Sequence, residues 1–108
     1  MPVRHARRRY IVYRVISEQG LSQREILNAV RESIGVLFGE LGLSRIHITP
    51  VFYDETSEEG ILRCTHLDLL ELRAAIAFVD RIDLKKTSIL IKGVSGTLRA
   101  AKTKFLSE

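Results

Sequence analysis

The 108-residue chain has no tryptophan, one methionine, two prolines and a single cysteine, and the cysteine count removes two classes of protein. One cysteine, Cys64, cannot close an internal disulfide or supply a zinc ribbon or finger, so neither a disulfide-stapled scaffold nor a small zinc module fits. Cys64 falls in the apolar run Ile61, Leu62, Arg63, Cys64, where a thiol reads as a small packed hydrophobe. His5, His47 and His66 lie in separate segments with no pair at metal-ligand spacing. No apolar run approaches the roughly 20 residues that a membrane-spanning helix needs, and the basic start lacks the apolar stretch of a secretory signal. The expectation is a cytoplasmic protein with no membrane contact. A Gly-Lys-Ser/Thr phosphate loop and a nucleophile elbow are also missing, which argues against nucleotide hydrolysis and triad chemistry. No catalytic residue, metal ligand or cofactor site is expected in the chain.

What remains is a composition of 45% hydrophobic and 28% charged residues, the balance of one globular domain. The net charge of +4 conceals a segregation: residues 1–39 carry seven basic and three acidic groups, 40–83 carry four and nine, and 84–108 carry six and one. Both ends are basic and the middle is acidic. Basic ends suit a polyanion partner, because Lys and Arg that neutralise phosphates release condensed counterions. The plainer alternative is a solvated charged surface.

Along the chain, residues 1–8 read as a flexible basic arm and 9–108 as one domain. The segment RRYIVYRVI is rich in β-branched and aromatic residues, with Ile11, Tyr13 and Val15 on one alternating set and Tyr10, Val12 and Ile16 on the other, as in a central strand. Ser22-Gln23-Arg24-Glu25 is a capping box, and Ile26, Leu27, Val30, Ile34, Leu37, Phe38 and Leu41 follow at helical spacing. Gly42 is expected to end that helix in the left-handed conformation. Ile46 to Tyr53 and Gly60 to Cys64 read as an antiparallel hairpin around an acidic turn, with Pro50 marking an edge or a bulge. Thr65 or His66 opens a second helix with the stripe Leu69, Leu72, Ile76 and Val79. A last strand, Thr87 to Val94, leads through Ser95-Gly96-Thr97 into a short C-terminal helix with Leu98, Ala101, Phe105 and Leu106. The order βαββαβ predicts an α+β, ferredoxin-like fold: a four-stranded antiparallel sheet, two main helices on one face, and a C-terminal helix. Such a sheet leaves an apolar face open, so Tyr10 and Val12, or the residues alternating with them, are expected beneath another protein.

Two segments could carry chemistry. In KGVSGTLRAAKTKFL, residues 92–106, a strand ends, glycines make the turn permissive, Ser95 or Thr97 can cap, and a helix begins. Unpaired N–H groups at a helix start attract anions and a glycine lets backbone approach a phosphate, while Lys92, Arg99, Lys102 and Lys104 add positive charge. The second segment is the N-terminal run containing Arg7, Arg8 and Arg9, which could become ordered on nucleic acid. Tyr10 or Tyr13 could stack a base, but the third strand offers only Ile61 and Arg63. Asp54, Glu55, Glu58 and Glu59 cluster in a hairpin turn, where solvated acids are commonplace.

With RRRYIVYRVISE, VRESIGVLFGELGL, GILRC and above all GVSGTLRAAKTKFL in view, the chain resembles protein component 2 of archaeal ribonuclease P. The eukaryotic relatives of that family belong to ribonuclease P and the related mitochondrial-RNA-processing ribonuclease. The resemblance implies a ferredoxin-like subunit that binds the catalytic RNA and supports endonucleolytic removal of the 5′ leader from precursor tRNA. It implies hydrolysis by magnesium bound to that RNA and a barrel-shaped protein partner, with a homodimer inside a heterotetramer as a further expectation. Two other readings of the same fold are a protein–protein adaptor working through the acidic middle and a small-molecule regulatory domain.

Overall fold

The first strand, β1 (Arg8–Ser17), carries apolar side chains on both alternating sets, which places it inside a sheet with a cover on each face. The computed structural model describes residues 6–18 and 20–106, so residues 1–5 of the expected arm lie outside it. After β1 come α1 (Gln23–Arg45), β2 (Thr49–Asp54), β3 (Glu59–Thr65), α2 (Leu69–Phe78), β4 (Arg81–Ile82), β5 (Lys85–Ser95) and α3 (Leu98–Phe105). The strands form one antiparallel sheet in the order β2-β3-β1-β5-β4. The α+β class is as expected, but the sheet has five strands where the sequence pattern predicts four. The extra strand is β4, a two-residue ribbon that pairs with the start of β5 around Asp83 and Leu84. Asp83 supplies the positive φ of 54° that a tight hairpin turn requires, without the glycine that would have signalled it.

Ile11, Tyr13 and Val15 face a core built with Ile26, Val30 and Ile34 of α1 and Leu72, Ala75 and Ile76 of α2. Tyr10 and Val12 face the other way, against Ile61 and Ala101, with Leu98, Phe105 and Leu106 packed around them. The face expected to await another protein is therefore covered by α3 of the same chain, leaving Tyr10 only 8% exposed. Pro50 lies in the edge strand β2, where the β2–β3 register slips between Pro50 and Phe52, satisfying both expectations for it. No helix among the described residues is long and apolar enough to cross a membrane.

α1 starts on the expected capping box, with the Glu25 backbone N–H donating to Ser22 Oγ at 3.3 Å and the Ser22 N–H donating to Glu25 Oε1 at 3.1 Å. Its end differs from expectation. The positive φ belongs to Gly39 (φ 68°, ψ −165°), which kinks the helix, whereas Gly42 sits buried within the continuing turn. The kink turns Gly42 inward against Phe38 and Ile34 and rotates Leu41 out to 83% exposure. Gly42 is small because a side chain there would collide with Phe38, not because its backbone is left-handed. Gly39→Ala should cost about 1–3 kcal/mol, since a Cβ is strained in that conformation whatever space surrounds it. Chemical denaturation checks this, and an unchanged midpoint would mean the kink relaxes freely.

Beyond the kink, Arg45 reaches the start of α2. Its guanidinium donates two hydrogen bonds to the Glu71 carboxylate, at 2.7 and 2.6 Å, and lies 3.5 Å from Asp68, the residue just before α2. Hydrogen bonding from Arg45 holds the Glu71 carboxyl below its usual range. A depressed folded value means the stabilisation is complete above the ordinary carboxyl value of 4.5 and is lost as pH falls through the lowered one. Glu71→Gln should thus lower the melting temperature slightly at neutral pH and flatten its decline between about pH 5 and about pH 3. Melting curves across that range decide it, and parallel acid limbs would remove the pair from the account.

Candidate nucleic-acid interface

α3 sorts its side chains by period. Leu98, Ala101 and Phe105 recur at three- and four-residue steps and pack onto the sheet, which turns Arg99, Lys102 and Lys104 to solvent. Thr97 is the cap: its Oγ1 accepts from the Ala100 N–H at 3.1 Å, and its own N–H donates to Ser95 Oγ at 3.3 Å. The first turn contains no acid, and Arg99 stands there instead, at the positive end of the helix dipole. Positive charge at that end of a helix is unfavourable by itself, and a negative group there would be favourable.

The two basic segments are brought together. Tyr10 pairs with Ser95 across β1 and β5, so the strand start with Arg8 and Arg9 lies beside the turn before α3. Arg9 Nη1 is 3.7 Å from the position a Cβ on Gly96 would take, and it donates to the Arg8 carbonyl at 2.9 Å. Arg8 belongs to β1, opposite Thr65, instead of the arm. Arg7 is anchored further out, its N–H donating to His66 Nδ1 at 3.0 Å and its carbonyl accepting from the His66 N–H at 2.7 Å. Gly96 is exposed, has no positive φ and has room for a methyl group, so nothing inside the fold requires glycine there.

Lys92 stands apart from this group. Its ammonium pairs with Glu59, whose side chain is 3% exposed. Arg63 is a cation that the two basic segments do not include. Two residues beyond Ile61 on β3 and directly opposite Tyr10, it shares the α3 face of the sheet and is half-exposed. Alternation from Ile61 is the signal in the sequence that points to it. Base stacking on β1 is closed off, since Tyr10 is covered by α3 and Tyr13 is fully buried on the opposite face.

The acidic hairpin has local structural work. Asp54 Oδ1 accepts from the Thr56 N–H at 2.9 Å, Glu58 adopts a positive φ of 58°, and Glu59 pairs with Lys92. Among the described residues there is no group of three or more His, Cys, Asp or Glu placed to hold a metal ion. Burial pushes the Cys64 thiol up to about 11, helped by nearby Asp68, so it stays protonated as a packed group.

A model of the Rpp14/Pop5 family matches residues 9–106, nearly the whole of this architecture. The chain belongs to the Rpp14/Pop5 family. Among its relatives is ribonuclease P protein component 2 of Pyrococcus furiosus, 34% identical over 107 residues that span 99% of this chain and 89% of that protein. The protein of the same name from Thermococcus kodakarensis is 36% identical over 107 residues, again 99% and 89% of the two chains. That of Methanocaldococcus jannaschii is 31% identical over 105 residues, 97% of this chain and 77% of the relative. A chain in a cryo-EM structure of yeast ribonuclease MRP superposes with a TM-score of 0.75 at 14% identity, covering 99% of this chain and 82% of that one, which shows the shared fold. In this member of the Rpp14/Pop5 family, the two glycines flanking Ser95 differ in kind. Gly93 lies under the Phe105 ring, which occupies the space a Cβ would need, whereas Gly96 is open. Gly93→Ala should therefore lower the melting temperature by roughly 5 °C or more as α3 lifts, while Gly96→Ala leaves it unchanged. Equal shifts from the two substitutions would contradict this assignment.

Proposed function

We propose that this protein is a ribonuclease P protein subunit: it binds the catalytic RNA and supports removal of the 5′ leader from precursor tRNA. One observation carries the reading beyond family membership: Arg99, Lys102 and Lys104 are exposed on a helix whose preceding turn lies beside the start of β1, with Arg9 next to Gly96. We assign phosphate contact to Arg7, Arg8 and Arg9, to the turn Ser95-Gly96-Thr97, and to Arg99, Lys102 and Lys104, with Gly96 allowing backbone approach. The chemistry in this reading belongs to magnesium held by the catalytic RNA, and the chain's own residues bind and orient. The four long strands with α1 and α2 correspond to a ferredoxin-like core, to which β4 and α3 are additions. A barrel-shaped protein subunit and a second copy of this chain then have the α1/α2 side available, where Val36, Leu41, Leu70 and Phe78 are exposed. The working compartment is the cytoplasm.

Filter binding of the catalytic RNA over a salt series tests the assignment. Replacing Arg99, Lys102 and Lys104 together with Ala should weaken binding to the catalytic RNA and reduce the log–log salt slope by about 0.7–0.9 for each phosphate no longer neutralised, with the circular dichroism spectrum unchanged. A folded triple variant with the original affinity and slope would make the outer side of α3 an ordinary solvated surface.

A further inference from the structure

Alternation along β5 breaks once, at Lys92. Ile89 and Ile91 lie in the core under α1 and α2, and so does Val94, three residues later. Strict alternation would instead have put residue 93 on that side. The register explains the change: Val12 is opposite Gly93 while Tyr13 is opposite Ile91, which leaves Lys92 as the extra residue of a β-bulge. The bulge turns Gly93 toward α3, where the Phe105 ring sits on it, and returns Val94 to the core. The chain then passes through Ser95 and Gly96 to the Thr97 cap, and α3 brings Phe105 back over Gly93. Both ends of α3 are thus referred to the same irregularity.

Lys92 Nζ pairs with Glu59 Oε2 on β3, with β1 lying between the two strands. The Glu59 side chain is 3% exposed and that of Lys92 23%, so the pair is largely withdrawn from water. A carboxylate taken out of water is costly to leave without its counter-charge, which gives the pair hold over the bulge. We propose that Lys92 is a positioning residue: with Glu59 it pins the β5 bulge that seats α3, and so aims the cationic side of that helix without itself contacting phosphate. This rests on reading α3 as the RNA-binding surface.

The test uses the full chain, with the ribonuclease P catalytic RNA as probe and three measurements: melting temperature, the ring-current shift of the Gly93 Hα from Phe105, and RNA affinity. Lys92→Met should lower the melting temperature by about 10 °C, collapse the Gly93 shift and weaken RNA binding roughly tenfold. Lys92→Arg should retain all three. The double variant Lys92→Glu with Glu59→Lys decides the mechanism, because it restores the pair while placing an anion at position 92. A positioning role predicts recovery of the Gly93 shift and of RNA affinity relative to Lys92→Met. A phosphate ligand predicts that the swap binds RNA more weakly than Lys92→Met, and that result overturns the proposal. So does a Lys92→Met protein with an unaltered Gly93 shift. If Lys92→Met fails to fold, Glu59→Gln and Lys92→Arg carry the comparison, and a folded Glu59→Gln that keeps the wild-type Gly93 shift overturns it equally. Lys102→Ala separates the two readings: if it leaves affinity and salt slope untouched, the RNA surface is misassigned, while the Gly93 shift and melting temperature still decide the pair.

Discussion

β1 has no solvent side over its middle, and its two faces need different covers. Ile11, Tyr13 and Val15 are buried by α1 and α2, while Tyr10 and Val12 are buried by α3. The second face is covered by a helix of eight residues. An isolated helix that short is marginal in water, because nucleation costs more than two turns return. α3 persists through what it packs on, the apolar strip of β1 and the bare backbone at Gly93. The cationic surface is therefore a consequence of the sheet: Arg99, Lys102 and Lys104 point outward because Leu98, Ala101 and Phe105 must point inward.

The parts of this fold legible in the sequence are those governed by local rules. The capping box at Ser22 and Glu25, the two-sided pattern of β1 and the proline-marked edge of β2 each follow from neighbours within a few residues. The remainder is settled by contacts distant in sequence. The sequence points to Gly42 as the left-handed residue, but Gly42 packs against Phe38 and Ile34 and the positive φ belongs to Gly39. β4 is invisible in the sequence because its turn uses Asp83, not glycine. The cover over Tyr10 and Val12 reads as another molecule because an eight-residue basic helix does not announce that it folds back. The site residues are legible as two basic segments, but their meeting at Gly96 needs the pairing of Tyr10 with Ser95, 85 positions apart. By charge alone Lys92 is equivalent to Lys102 and Lys104, and a single extra residue in β5 gives it a different environment.

The segregation of charge takes on a physical meaning in three dimensions. Several acids of the central region act on their own neighbourhood: Asp54 closes its turn, Glu59 holds Lys92, and Glu71 and Asp68 face Arg45. An adaptor surface built on those groups would have to break interactions that hold the hairpin and the α1–α2 junction. The cations of α3 have no comparable ion pair among the described residues. Ion pairing within the fold therefore does not account for them.

The dipole of α3 sharpens that argument. Lys102 and Lys104 lie in its last turn, where positive charge is favourable and would be expected in any helix. Arg99 lies in the first turn, where positive charge is unfavourable and an acid is the usual occupant. The Arg9 guanidinium next to Gly96 adds a second cation at that end. A sequence selected only for helix stability would place its charges the other way round. Two cations, Arg9 and Arg99, are thus gathered where Gly96 leaves the backbone open, so the residues least suited to the helix alone are those to which the proposed function gives a phosphate group.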